Sequence, residues 1–220
     1  MTMESAKKVG LVFGGFKPFT TGHYARCLQS MASCDQTILI YSTKPRGEND
    51  EEITQSSLER MWKIITPSLE SKGITVRGSL TTPVKDVFGF IGAVRTRLDN
   101  PSSTSYNAFC QHFSFNPASS GLALFGSYED IYDNFSKYIG KTSETRFFGN
   151  LAREKKLEFV TEPARGLLCK EIPGCDDEDL SGVRATHVRR LLREDSSSAL
   201  KYLFPLTDLG RKQIVESLGF

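Results

Sequence analysis

The chain has 220 residues, a formal net charge of +2 and 39% hydrophobic residues. That length suits one domain with a real core and room for insertions, and the composition argues against wholesale disorder. Near-neutral charge gives no electrostatic reason to expect a nucleic acid or a membrane surface as partner, so anion binding has to come from locally placed basic groups.

Taken in chain order, the elements alternate. "VGLVF" reads as a buried strand and Thr21 to Ser33 as a helix. "TILIYS" is a second strand, rich in β-branched and aromatic residues. From Gln55 to Leu69, the residues Leu58, Met61, Trp62, Ile65 and Leu69 recur at helical spacing, so Trp62 reads as core. "ITVRG" is a short strand, and Val84 to Leu98 is a helix with Val87, Phe88, Ile91, Val94 and Leu98 on one face. "LALFGS" is a strand, Glu129 to Ile139 a helix and "LEFVT" a strand. Thr186 to Arg193 and Leu206 to Leu218 close the chain as helices, the second frayed by Gly210.

This alternation predicts an α/β fold, a doubly wound Rossmann-like parallel sheet with helices on both faces, in a single domain over 1–220. Ligands of such sheets bind at the carboxyl ends of the strands, near the topological switch point. Two segments interrupt the pattern. Residues 99–120, rich in Ser and Asn with interspersed aromatics, read as an ordered surface insertion or lid. The basic stretch 140–156 reads as a second insertion, and 186–220 as a C-terminal helical segment. The five cysteines, odd in number and without a C-x-x-C pair, read as reduced thiols in a cytoplasmic protein. "MTMESAKKVG" lacks the apolar core of a signal peptide, and no apolar run approaches the length of a membrane span.

The stretch "GLVFGGFKPFTTGHYARCL" concentrates Gly14, Gly15, Lys17, Gly22 and His23 where the first strand turns into a helix. Glycines let a backbone approach a ligand closely, and a helix start offers free N–H groups and partial positive charge, which suits phosphate. Lys17 and His23 add donors at the same point. Taken alone, the glycines serve equally well as a tight packing turn.

"GGFKPFTTGH" resembles the first signature of the nucleotidylyltransferase superfamily, G-x-F-x-P-x-H-x-G-H, with Gly14, Phe16, Pro18, Gly22 and His23 on its fixed positions. Thr20 replaces the first His, as in pantetheine-phosphate adenylyltransferases, and Lys17 is unusual there. "VRATHVRRLL" resembles the second signature, with Val183, Ala185, Thr186, Val188 and Arg189 matching and Arg184 in place of a Ser. "LALFGSYED" resembles the strand ending in Gly-Ser near the base or ribose, carried here by Gly126 and Ser127. "STKPRGENDEEITQSSLERMW" resembles phage-encoded members.

The resemblance implies a transfer of AMP or CMP from ATP or CTP to a phosphorylated small-molecule acceptor such as nicotinamide mononucleotide, with magnesium on the triphosphate. His23, assisted by Thr20, would contact the α-phosphate, and Lys17 would reach either that phosphate or the acceptor's. Thr186 and Arg189, with Arg184 nearby, would hold the departing phosphates, and Gly14, Gly15, Phe16, Gly22, Gly126 and Ser127 would line the nucleotide. Lys44, Arg46 and Arg60 are candidates for the acceptor phosphate. The acidic run from Cys175 to Leu180 reads as a solvated loop. Family members form various oligomers, so a homo-oligomer is an open expectation. A non-catalytic nucleotide sensor on the same fold is the competing reading, favoured by the unusual Arg184 and Lys17. A nucleic-acid protein is a lesser one, resting only on short basic patches.

Overall fold

The computed structural model describes residues 7–45, 53–118, 120–135, 151, 156–162, 166–171, 183–205 and 207–220. The expected alternation is present. The strands are β1 (Lys7–Gly14), β2 (Gln36–Tyr41), β3 (Ile74–Gly78), β4 (Ser120–Phe125) and β5 (Leu157–Val160). The longer helices are α1 (Thr21–Ser33), α2 (Gln55–Glu70) and α3 (Pro83–Asp99), followed by α4 (Asn107–Phe113) and α5 (Tyr128–Phe135). After β5 come the short α6 (Leu168–Glu171), then α7 (Ala185–Glu194), the single turn α8 (Ser196–Ala199) and α9 (Asp208–Leu218).

All strand pairings are parallel, in the order β3-β2-β1-β4-β5. The chain therefore leaves β1 toward β2 and β3, then returns to lay β4 on the other side of β1. That reversal puts the switch point between the carboxyl ends of β1 and β4, the place where open α/β sheets take ligands. Successive strand residues point to opposite faces, and the apolar core divides accordingly. Val12, Leu39, Ala123 and Phe125 pack with residues of α1, α2, α7 and α9. Leu11, Phe13, Ile38, Ile40, Leu122 and Leu124 pack with residues of α3, α4 and α5.

Local chemistry fixes the ends of α1. Thr20 is its N-cap, and the first turn closes as a reciprocal capping box in which His23 takes the place usually held by Glu or Gln. Further along α1, Tyr24 donates to Glu171 Oε2 over 3.1 Å, and Lys72 reaches the same oxygen at 2.7 Å. Burial pushes the Tyr24 phenol up to about 12, so it stays protonated and a donor. This bond ties α6, which leads toward α7, to the flank of α1. Arg26 adds a second tie, donating to the carbonyls of Thr161 and Glu162 after β5.

The Ser/Asn-rich segment is ordered and contains α4; most of its described residues are exposed, while two of its rings enter the core. Phe113 and Phe115 are buried, and both rings pack on Phe90 at centroid distances of 4.9 and 4.8 Å. The last helix starts at Asp208, not Leu206, and Gly210 does not fray it. Thr207 is the N-cap, and its hydroxyl accepts from the Gly210 N–H at 3.2 Å. A Cβ at Gly210 would lie 2.9 Å from that hydroxyl and 3.0 Å from Pro205, so glycine permits the close approach. Of the second expected insertion, 140–156, only residues 151 and 156 fall within the described residues.

Phe113→Ala is expected to lower stability by about 3–5 kcal/mol in urea unfolding, the usual cost of emptying a buried aromatic site. A loss below about 1 kcal/mol would mean that the Phe113 ring is not buried.

Candidate functional site

The first strand ends at Gly14, which pairs with Tyr41 at the end of β2; Val12, two residues earlier, pairs with Phe125 at the end of β4. The glycine-rich turn from Gly14 to Thr20 thus sits at the carboxyl edge, beside the switch point. Phe16 adopts a left-handed backbone with φ of 49°. A non-glycine residue there costs about 1–3 kcal/mol and persists only where packing holds it. Here the ring lies over Gly14, whose added Cβ would come within 2.9 Å of it, and stands 4.8 Å from the His23 ring. Gly15 behaves differently. It is exposed, and an added Cβ would meet nothing within 4 Å. Neither packing nor backbone angle demands glycine at 15, which leaves close approach by a ligand as a reason for it.

His23 is the N3 residue of α1. Its Nδ1 accepts from the Thr20 backbone N–H at 3.0 Å. The neutral ring therefore carries its proton on Nε2, and no hydrogen bond among the described residues is recorded for that nitrogen. Burial lowers the His23 pKa from 6.5 to about 4, so at neutral pH the ring is an uncharged donor.

Thr20 is fully buried. Its hydroxyl lies 3.1 Å from His23 Nδ1 and donates to the Val183 carbonyl at 3.4 Å. Thr20 also bridges to Leu203. The Thr20 hydroxyl thus lies against His23 and ties the turn to the segment that opens α7.

That tie has a partner. Arg189 Nη1 donates to the Lys17 carbonyl at 2.5 Å, and Nη2 reaches Thr186 Oγ1 at 3.5 Å. The two signature-like segments, far apart in sequence, therefore lie against each other beside the switch point. Thr186 itself is exposed in the first turn of α7, and Arg184 is the N-cap residue, with no side-chain cap on the helix start. That start thus leaves backbone donors of the kind that bind anions.

Other expected residues are engaged in protein contacts. Lys17 is buried, and its ammonium donates to the Lys44 carbonyl, which pins the loop after β2. Arg184 pairs with Glu129 at 2.9 Å. Ser127 caps α5: its hydroxyl accepts from the Asp130 N–H at 3.1 Å and donates to the Asp130 carboxylate at 2.8 Å. Gly126 sits beside it at the switch point, with Ile131 against its α-carbon. Gly22 is buried in the first turn of α1. Lys44 is exposed after β2, while Arg46 and the run from Cys175 to Leu180 lie outside the described residues.

A cleft of about 530 Å³ opens on the β2 side, lined by Tyr41, Ser42, Thr43 and a face of α2 that includes Leu58, Glu59, Trp62 and Lys63. Trp62 is both core and wall, as its ring stacks on Tyr41 at 3.9 Å and stands 5.7 Å from Phe19. Phe19 in turn is 5.6 Å from His23. The cleft and the His23 turn thus share an aromatic partition. Arg60 is not part of the lining; it is exposed, with its guanidinium 3.3 Å from Ser57 Oγ. Sequence reasoning missed Tyr41 and Glu129. The signal for Tyr41 was its place as the last strand residue before a polar loop; Glu129 had only its place after the Gly-Ser turn.

Among the described residues no three His, Cys, Asp or Glu side chains cluster to hold a metal ion, and no helix is long and apolar enough to cross a membrane. No protein-family model matches the chain, and no curated protein is similar to it.

A proton titration of the His23 ring by NMR is expected to give a midpoint near 4. Since the folded-state pKa is the lower one, the neutral ring's contribution to stability is full above pH 6.5 and fades as pH falls toward 4. A midpoint near 6.5 would show the ring to be solvated.

Proposed function

We propose that the chain is a nucleotidylyltransferase that moves an AMP or CMP group from ATP or CTP to a phosphorylated small-molecule acceptor, with AMP transfer to an acceptor such as nicotinamide mononucleotide the first choice. One observation carries the reading: the turn around His23 and the start of α7 are joined through Arg189 and the Lys17 carbonyl, at the switch point of a doubly wound sheet. The resemblance of residues 14–23 and 183–189 to the two superfamily signatures supports it, as does the unexplained openness at Gly15.

In this reaction an acceptor phosphate oxygen bonds to the α-phosphorus while the bond to pyrophosphate breaks. The attacking oxygen is already anionic, so no general base or covalent nucleophile is required. What the chain must supply is in-line placement and fixed donors for the developing charge. His23 offers Nε2–H from a partly buried ring, held in its tautomer by the Thr20 N–H. The start of α7 and Arg189 face the leaving pyrophosphate. The acceptor's organic part fits the cleft between β2 and α2, where Tyr41 and Trp62 form one wall. The donor set suits magnesium carried on the triphosphate rather than in a protein cage; the ion would neutralise phosphate charge.

A non-catalytic nucleotide sensor is the second reading. It is favoured by the engagement of Lys17 with Lys44 and of Arg184 with Glu129, which leaves fewer cations for chemistry.

Pyrophosphate release, measured for ATP, CTP, GTP and UTP crossed with phosphorylated acceptors, separates the two. The enzyme reading expects release with at least one pair, whereas nucleotide binding without release across the panel supports the sensor. In the active pair His23→Ala is expected to slow turnover about a hundredfold, and near-normal turnover would remove His23 from the chemistry. Gly15→Ala is expected to weaken ATP binding while shifting unfolding by no more than about 0.5–1 kcal/mol. Unchanged ATP binding would mean that no ligand approaches there.

A further inference from the structure

We propose that Glu129 tunes how tightly the site holds a polyphosphate, by keeping Arg184 paired until a more highly charged tail displaces the carboxylate. The inference rests on the nucleotide reading above. Glu129 lies in the first turn of α5, immediately after the Gly126–Ser127 turn, and Arg184 is the N-cap of α7. Their 2.9 Å ion pair therefore joins the two elements that flank the switch point, β4's exit and the α7 start. Both side chains are more than half exposed, at 69% and 59%.

An exposed pair of this kind is cheap to exchange. A phosphate offers a guanidinium the same forked geometry as a carboxylate, with more charge. The neighbouring α7 start has no side-chain cap, and Arg184 is its N-cap residue, so the free backbone donors and the paired guanidinium belong to the same helix end. Glu129 is the carboxylate that meets Arg184, and its own backbone N–H and the Ser127 hydroxyl help to hold it in its ionised form. A ligand that takes the forked Nη2 side of Arg184 has to displace the carboxylate that now holds it. A polyphosphate has charge enough to do so, and a monophosphate whose single group stays near His23 leaves the pair intact. The pair thereby separates ligands by tail length.

Binding of magnesium-free inorganic tripolyphosphate, ATP and AMP, measured by calorimetry on the full chain, tests the proposal. Glu129→Gln is expected to tighten tripolyphosphate and ATP about three- to fivefold, the range of an exposed ion pair, and AMP by less than twofold. In an Arg184→Ala background the gain from Glu129→Gln is expected to vanish. No tightening in Glu129→Gln, or equal tightening of AMP, overturns the proposal while leaving the nucleotide reading intact. A gain that persists undiminished without Arg184 also overturns it, because Glu129 would then act by repulsion alone. If the native chain binds none of the three probes, the nucleotide reading itself falls, and the proposal with it. Both side chains are exposed, so circular dichroism of each variant is expected to match the native chain.

Discussion

A guanidinium held on a main-chain carbonyl is the constraint from which the site follows. Arg189 reaches the carbonyl of Lys17, 172 residues away in sequence, and Thr20 binds the Val183 carbonyl just before the same helix. Neither bond closes a secondary-structure ladder. Each fixes the start of α7 against the turn that leaves β1, and Leu203 and Phe204 add further backbone contacts to that turn. The sheet order does the rest, because it leaves a crevice between β1 and β4 at the place these bonds secure.

The electrostatics of this edge are those of a compensated site. His23 is kept neutral by burial, Lys17 is satisfied by a carbonyl, and Arg184 by a carboxylate. Without a ligand few charges are left unpaired, which costs little in stability. On the nucleotide reading proposed above, an entering anion competes for these partners, and its own charge governs how many it wins. Two buried polar atoms without partners among the described residues, the Trp62 indole N–H and the Ser79 hydroxyl, lie toward β2 and β3, on the other side of β1 from β4. Ser79 follows β3 directly, and Trp62 stacks on the last residue of β2. Unpaired buried groups are rare in folded proteins, and local rules tend to be broken where function requires it.

The framework was legible because parallel, buried strands read as continuous apolar runs, and "VGLVF" and "TILIYS" are such runs. The limits of α1 were legible too, since Thr20 and His23 form a local box only three residues apart. The helix α4 was obscured by its Ser- and Asn-rich surroundings, although Phe109 and Phe113 stand one turn apart and both pack on Phe90. Side-chain commitments were the least legible. Neither the bond from Lys17 to the Lys44 carbonyl nor that from Thr20 to the Val183 carbonyl can be read from the sequence. Those partners are set by tertiary contacts that no local pattern encodes. Helical spacing likewise named α2 but not which of its faces borders the cleft, and Arg60 lies outside that lining.

The central claim is that residues around His23 and the start of α7 grip one polyphosphate. A crystal structure with a non-hydrolysable ATP analogue and magnesium tests it most directly. The account predicts electron density for the phosphates in the crevice between the carboxyl ends of β1 and β4, within hydrogen-bond reach of both His23 Nε2 and the first backbone N–H groups of α7. Density that touches only one of those two, or that lies elsewhere on the molecule, would contradict it.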